Sequence, residues 1–146
     1  MRKHSGFTLV ELVVVIMILG ILAAVAAPKL LGTSSAAADN GIKQTLAIVR
    51  DAVERYAAEH AGEIPAKGSS DGDVFKTALK SYLRGEFPTC PIGENNDVAM
   101  TTVAGPITVA GTEAWHYNSG DGQFIVNSTE VTRNANDDVA LTYDKL

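Results

Sequence analysis

Apolar positions are concentrated in one block near the start of the chain. Residues 7–27 are almost entirely apolar and contain one charged residue, Glu11. A helix of this length reaches about 30 Å, which matches the hydrocarbon thickness of a bilayer, whereas helices in a soluble core are usually shorter. The pattern therefore predicts a membrane-spanning helix over residues 7–28, preceded by a short basic segment, residues 1–6.

The apolar block is compatible with two processing fates. Residues 24–26 (Ala-Val-Ala) satisfy the small-residue rule for an ordinary secretory signal peptide, whose removal would release a soluble periplasmic binding protein or enzyme. Glu11 argues against this fate, because a carboxylate in the apolar region costs about 2 to 3 kcal/mol or more on insertion and serves no purpose in a discarded signal. Arg2 and Lys3 before the block, against Lys29 alone directly after it, predict a cytoplasmic N-terminus with the rest of the chain outside.

An amphipathic helix is predicted to continue from the apolar block over residues 29–62. Five apolar residues recur there at alternating spacings of four and three, which places one helix face against a core: Ile42, Leu46, Val49, Val53 and Tyr56. Pro28 is predicted to bend the helix rather than to end it. The opposite face is predicted to be solvated and to carry ion pairs at four-residue spacing: Arg50–Glu54, Asp51–Arg55 and Arg55–Glu59.

Residues 63–146 are predicted to form a globular domain outside the membrane. A loop over residues 62–72 precedes a short helix over residues 73–83, with Asp73 as its N-cap. Apolar patterning then predicts short strands over residues 100–103, 107–109, 114–118, 123–127 and 139–143. Residues 119–122 (Ser-Gly-Asp-Gly) mark a tight antiparallel hairpin. The predicted fold class is α+β, with a long bent N-terminal helix packed in its second half on a small antiparallel β-sheet.

Charge and cysteine content exclude several classes of function. The formal net charge is -5, and no cluster of lysines and arginines follows the apolar block, so nucleic acid is not expected as the main partner. Cys90 is the only cysteine, which excludes an intrachain disulfide and a cysteine-rich metal site. Cys90 itself is predicted to be a small buried apolar residue.

The sequence contains no pattern typical of an enzyme. Its three histidines, His4, His60 and His116, lack the spacing of metal ligands, and neither a nucleophile elbow nor a phosphate-binding glycine loop is present. We therefore predict neither a catalytic site nor an organic cofactor. Residues 127–129 (Asn-Ser-Thr) match a short N-glycosylation motif, which is too common to carry an argument.

Two acidic segments are incomplete candidates for calcium. Residues 71–73 (Asp-Gly-Asp) form the first, and neither segment completes an oxygen-ligand loop. The second segment lies near the C-terminus and offers four possible oxygen ligands: Asn134, Asn136, Asp137 and Asp138.

The N-terminal residues resemble a known signature. Residues 6–11 (Gly-Phe-Thr-Leu-Val-Glu), followed by the apolar run to Pro28, resemble the prepilin signature shared by type IV pilins and type II secretion pseudopilins. The resemblance implies that a prepilin peptidase cuts after Gly6 and methylates the new N-terminal residue, Phe7. Residues 1–6 are then a leader that is removed.

The resemblance also implies a role for Glu11. In this family the carboxylate at the fifth mature position pairs with the N-terminal amine of a neighbouring subunit, here that of Phe7. Because each charge is costly in lipid, the pair is favourable only in one axial register. The chain would then be a subunit of a filament that supports protein secretion or pilus function, with residues 7–28 in the filament core.

Location and partners follow from the same resemblance. The subunit is expected in the bacterial inner membrane, with its C-terminal domain in the periplasm. The assembled filament is expected in the periplasm or on the cell surface. Its expected partners are copies of itself, minor pilins or pseudopilins, prepilin peptidase, membrane lipid, and an inner-membrane assembly platform driven by a cytoplasmic ATPase. Major pseudopilins can bind calcium in a C-terminal loop, and many type IV pilins close such a loop with a disulfide. The lone Cys90 therefore favours a pseudopilin or a compact pilin-like protein over a disulfide-containing type IV pilin.

Overall fold

The computed structural model describes residues 7–130, 132 and 142–146, and it has an α+β fold. Within these residues, two helices, three short strands and a 3-10 helix follow one another: α1 (Leu9–Glu59), α2 (Gly72–Leu79), β1 (Val98–Thr101), β2 (Trp115–Asn118), β3 (Phe124–Val126) and the 3-10 helix Tyr143–Lys145.

Helix α1 combines the predicted membrane helix and its amphipathic continuation in one element of 51 residues. The helix is uninterrupted at Pro28, and the bend expected there stays a prediction. The helix ends at Glu59, close to the predicted end, where Ala61 and Gly62 both adopt positive φ angles of 55° and 89°. Glycine adopts this conformation without a steric penalty, so Gly62 favours the end of the helix.

The predicted apolar stripe on α1 faces the core. Ile42, Leu46, Val49 and Val53 are all buried, and Tyr56 packs against the same cluster. The stripe contacts β3 and α2, so the second half of the helix carries the globular domain. This part of the sequence prediction is confirmed.

The centre of the core is a cluster of aromatic rings. Phe75 stacks on Tyr117 with 4.0 Å between ring centroids, and Trp115 stacks on Phe124 at 5.3 Å. The polar atoms of these rings also have partners: the Trp115 indole donates to the carbonyl of Pro88 at 3.0 Å, and the Tyr117 hydroxyl donates to that of Pro65 at 3.1 Å. The rings therefore bury a large apolar area and leave no buried donor unpaired.

The sheet is mixed, with strand order β1-β2-β3. Strands β2 and β3 form the predicted antiparallel hairpin, in which Trp115 lies opposite Val126. Strands β1 and β2 run parallel, with Val98 opposite Trp115, so the prediction of a purely antiparallel sheet was wrong. The long segment over residues 102–114 has no tight turn and returns the chain to the same end of the sheet, which makes the parallel pairing possible.

Several element bounds also differ from the prediction. Helix α2 begins at Gly72, and its N-cap is Asp71 rather than Asp73, because the Asp71 carboxylate accepts the Asp73 amide at 2.9 Å. The helix ends at Leu79, β1 starts two residues earlier than predicted, and residues 107–109 form no strand. Most of the predicted strand over residues 139–143 lies outside the described residues.

Two polar contacts attach the C-terminal segment to α1. The Tyr143 hydroxyl donates to the buried Asp39 carboxylate. The Arg50 guanidinium donates to the carbonyl of Phe124 from Nε at 3.1 Å and from Nη2 at 2.9 Å, and to the main-chain oxygen of Leu146 from Nη1 at 3.0 Å. Arg50 is thus a bridge from α1 to β3 and to the chain end.

The helix face opposite the apolar stripe was only partly predicted. Asp51 and Arg55 form the expected ion pair at 2.7 Å. The expected pairing of Arg50 with Glu54 was wrong, since Arg50 is directed to backbone carbonyls. Glu59 accepts a hydrogen bond from the Tyr82 hydroxyl at 2.6 Å, instead of pairing with Arg55.

Replacing Arg50 with methionine is expected to lower the free energy of unfolding by about 1.5–3 kcal/mol. The variant keeps an apolar stem but loses the charged donors to the main-chain oxygens of Phe124 and Leu146, and hydrogen bonds to charged groups contribute about that much. Urea unfolding followed by circular dichroism measures the change. The matched control is Arg55→Met, which breaks an exposed ion pair and is expected to cost about 0–1 kcal/mol. Equal losses in the two variants would contradict the bridging role.

Candidate functional site

Glu11 lies in a capping box at the start of α1. Thr8 is the N-cap, with extended backbone angles (φ -82°, ψ 150°). The amide and hydroxyl of Thr8 donate to Oε2 of Glu11 at 2.9 and 2.8 Å, and the Glu11 amide donates to the Thr8 hydroxyl at 3.3 Å. These bonds satisfy donors that a helix start leaves unpaired, and the helix dipole favours a negative charge there.

The prediction for Glu11 had overlooked this contact. It did not consider a partner within the same chain, although a threonine followed three residues later by a glutamate is the sequence signal of a capping box. All three hydrogen bonds use Oε2 or the amide of Glu11, so Oε1 accepts none from the residues that the structure describes. One oxygen of the carboxylate is therefore available to a second donor.

The first part of the helix that carries Glu11 is not covered by the part of the chain that the structure describes. The segment Leu9–Ala27 has a mean hydropathy of 3.0, and none of it is buried. Its large side chains are widely exposed, including Leu9 at 78% and Val25 at 70%. Soluble monomers rarely expose apolar patches of this size, so the segment requires an apolar environment, and its length and composition suffice to span a membrane.

The predicted cleavage site adjoins this helix. Gly6 lies outside the described residues, while Phe7 precedes the N-cap and is 77% exposed. The cut after Gly6, the methylation of Phe7 and the assembly role of Glu11 stay predictions.

The calcium candidates do not form a site in the described part of the chain. Asn134, Asn136, Asp137 and Asp138 lie outside the described residues. Asp71 caps α2, and Asp73 pairs with the Lys76 ammonium at 2.8 Å. Within the described residues, no group of three or more potential metal-ligating side chains is arranged to hold an ion.

The globular domain contains a buried polar cluster around His116. Its Nε2 lies 2.7 Å from the Thr101 hydroxyl, and its Nδ1 lies 3.4 Å from Oδ1 of Asn127. The Asn127 amide donates to the carbonyls of Ala110 and Glu113 at 2.7 and 2.9 Å. Asn127, the first residue of the glycosylation motif, is thus buried and positions the segment before β2.

Stability is expected to fall below about pH 6.5 because of His116. Burial lowers the pKa of the His116 imidazole below its ordinary value, although Asn127 and Glu113 oppose the shift. The unfolded chain then binds a proton more readily than the folded chain. The contribution of the neutral, buried His116 to stability is therefore complete above pH 6.5, and it is lost as the pH falls through the lowered pKa. The slope is at most about 1.4 kcal/mol per pH unit, the value for one proton.

Urea unfolding at pH 7.5 and 5.5 tests this prediction. The wild-type protein is expected to lose more stability between the two values than His116→Gln does. His60→Gln, which changes an exposed histidine on the same chain, serves as the control and should retain the wild-type difference. An identical difference in all three proteins would contradict the role of His116.

Cys90 is fully buried within the core cluster, as predicted. This burial raises the pKa of the Cys90 thiol. A neutral buried thiol is a poor nucleophile, so its contribution is packing.

Comparison with known proteins agrees with the signature. The model of the prokaryotic N-terminal methylation motif matches residues 1–27. The competence protein ComGC of Halalkalibacterium halodurans is 38% identical over 103 residues, which cover 70% of this chain and 92% of that protein. The chain belongs to the pilin-like and pseudopilin family.

Two further relatives of this pilin-like protein match over shorter stretches. Prepilin peptidase-dependent protein D of Escherichia coli is 43% identical over 72 residues, which are 49% of each chain. Type II secretion system core protein G of Vibrio cholerae is 41% identical over 56 residues, or 38% of each chain. The matched stretches thus span no more than about half of these two relatives. No solved structure gives a significant match.

Proposed function

We propose that this pilin-like protein is the structural subunit of a type II secretion pseudopilus or a type IV pilus-like filament. The observation that supports the proposal is the uncovered apolar helix Leu9–Ala27, which starts with a capped carboxylate and extends from a well-packed domain. A membrane covers such a helix in the single subunit. Neighbouring copies of the same helix cover it in a filament.

Glu11 selects the register of assembly in this proposal. Its Oε2 is occupied by Thr8, and Oε1 accepts no hydrogen bond from the described residues, so the carboxylate can hold a cation without losing its cap. The cation is the N-terminal amine of Phe7 in the neighbouring subunit, which exists only after residues 1–6 are removed. Two charges buried in an apolar core are each costly, and they offset one another only when the helices are aligned.

Membership of the family supports the remaining assignments of this proposal. Prepilin peptidase cuts after Gly6 and methylates Phe7. The subunit then lies in the inner membrane with its N-terminus in the cytoplasm and its C-terminal domain in the periplasm. An inner-membrane platform, together with minor pilins or pseudopilins, incorporates it into the filament. The relatives' names include both secretion and competence proteins, so the filament supports secretion or a pilus function.

Mass spectrometry of the N-terminus tests the proposal. Protein isolated from membranes is expected to begin at Phe7 and to carry one additional methyl group. The control is the same chain produced in cells without prepilin peptidase, which should retain residues 1–6. A mature terminus near Ala27 would instead indicate an ordinary signal peptide and a soluble secreted protein, and it would overturn the proposal.

A further inference from the structure

Residues 102–113, which connect β1 to β2, lie over the outer face of the sheet. Side chains alternate between the two faces of a strand, and Trp115 and Tyr117 belong to the core, so His116 between them points to the opposite face. Ile125, which pairs with His116 across the hairpin, lies on that face too. Both side chains are nevertheless buried, at 6% and 7% exposure. The outer face is therefore closed to solvent around this pair.

The connecting residues form a strap that is attached by side chains alone. Within the described residues, no backbone–backbone hydrogen bond involves residues 102–113. Seven hydrogen bonds between described residues join the strap backbone to four side chains of the domain: Asn95, Asn118, Asp121 and Asn127. A segment without a ladder of backbone hydrogen bonds opens more readily than the paired strands beneath it.

His116 lies where the strap is attached to the sheet. Its Nδ1 donates to Oδ1 of Asn127 at 3.4 Å, since an amide oxygen can only accept. The same oxygen accepts the Ala110 amide of the strap at 3.2 Å. In the neutral ring, Nε2 therefore accepts from the Thr101 hydroxyl at 2.7 Å. A further proton can enter only at Nε2, where it meets a hydroxyl that already donates.

Proton uptake places a charge beneath the strap. The contacts from Thr101 of β1 and from Asn127 after β3 are neutral, and α1 and α2 pack on the other face of the sheet. Among the described residues, Glu113 of the strap is the charged side chain that acts on His116. Burial lowers the pKa of His116 and outweighs the opposing effects of Asn127 and Glu113. The imidazolium gains hydration only if the strap moves away, so proton uptake favours the open strap.

We infer that the strap is a proton-operated cover, which leaves the outer face of the sheet when His116 takes up a proton. The open form exposes Ile125 and the side-chain amide of Asn127, a surface that the closed form hides. One proton changes the opening constant by at most about tenfold per pH unit. The sheet and the core stay folded when the strap opens, and opening requires no filament.

Amide exchange measured by NMR on the full-length protein in detergent micelles tests the strap. After correction for the intrinsic exchange rate, the opening constant at the Ala110 amide is expected to rise by about threefold or more between pH 7.5 and 5.5, with a ceiling of about tenfold. The Trp115 amide, which is bonded within the sheet, is expected to keep much higher protection at both pH values. His116→Gln is expected to abolish the pH dependence at Ala110, and His60→Gln should retain it.

A steric variant opens the strap without a proton. A Cβ on Gly120 would lie 2.5 Å from the amide nitrogen of Ala104 and 2.9 Å from the carbonyl oxygen of Thr102. Gly120→Ala is therefore expected to raise the opening constant at Ala110 several-fold at pH 7.5, because both ends belong to one strap. The matched control is Gly41→Ala, whose Cβ meets nothing within 4 Å and should leave the opening constant unchanged.

An opening constant at Ala110 that is independent of pH, or a pH dependence that persists in His116→Gln, would overturn the proton-operated strap. Equal protection at Ala110 and Trp115 would overturn it too, because the strap would then open only when the whole domain unfolds. Circular dichroism verifies that each variant is folded. If His116→Gln is not folded, the wild-type protein still decides, since opening at Ala110 must follow the titration of the His116 ring signal.

Discussion

Replacing Glu11 with alanine is expected to abolish filament assembly while the leader is still removed after Gly6. The methyl group cannot hold the Phe7 amine of the neighbouring subunit, which then enters the apolar core as an unpaired charge. Breaking a buried ion pair on one side costs about 3–5 kcal/mol, enough to lower a binding constant by a factor of a hundred or more. Sedimentation of sheared filaments measures assembly, and mass spectrometry of the membrane-bound subunit measures cleavage.

A second variant separates the charge of Glu11 from its capping role. Glutamine at the third helical position can also complete a capping box, so Glu11→Gln keeps the contact with Thr8 and removes the charge. We expect Glu11→Gln to be cleaved and to assemble poorly, as Glu11→Ala does. Wild-type yield from Glu11→Gln would show that the cap, rather than the charge, is what assembly requires, and wild-type yield from both variants would refute any role in assembly.

The largest loss of stability is expected for Phe75→Ala. Phe75 is fully buried, stacks on Tyr117 at 4.0 Å, and lies 5.8 Å from the ring of Phe124 and 5.9 Å from that of Phe87. Truncation of a buried phenylalanine costs about 3–5 kcal/mol, because the transfer free energy is lost and a cavity is left. A typical domain has only about 5–15 kcal/mol of stability, so the loss is a large fraction of the total.

Urea unfolding followed by tryptophan fluorescence measures this loss, since Trp115 lies in the same cluster. Val74→Ala is the matched control on α2, because Val74 is 46% exposed and its truncation should change stability by about 0.5 kcal/mol or less. Similar midpoints for both variants would show that the aromatic cluster is not the centre of the core.

Local patterns were enough to predict those parts of the fold in which neighbouring residues determine the outcome. The three-four spacing from Ile42 to Tyr56 placed one face of α1 in the core, and the glycines at residues 119–122 located the β2–β3 hairpin. Each signal is contained within a short continuous stretch of the sequence. The membrane-length helix was predicted in the same way, from an unbroken apolar run.

Contacts between distant residues account for the errors. The parallel pairing of β1 with β2 depends on the path of the intervening segment, which Asn118 holds through the carbonyls of Val103 and Gly105. Arg50 was expected to bind Glu54, four residues away, but its partners Phe124 and Leu146 are distant in sequence. Spacing rules describe neighbours within a helix, and they carry no information about carbonyl groups that tertiary folding brings close.

At the candidate site, the contact that the sequence prediction missed is a local one. The position of Glu11 within the apolar helix followed from the sequence, while the capping box was overlooked although its signal is local. From the sequence, Glu11 was interpreted as an insertion cost and, through the family resemblance, as the partner of a neighbouring subunit's amine, but not as a helix cap. The first-turn position of Glu11 was not considered, and it was this position that supplied the intramolecular partner.

Helix α1 has a mechanical consequence for any force that acts along it. Its 51 residues correspond to a rod of about 77 Å, and the globular domain attaches alongside its second half rather than at its tip. Tension along the helix therefore acts in shear on the contacts between the helix and the domain. The contacts of Ile42, Leu46, Val49 and the Arg50 bridge resist it together. A side-by-side joint of this kind resists pulling better than one that opens contact by contact, so a subunit drawn out of a membrane by its helix takes its folded domain with it.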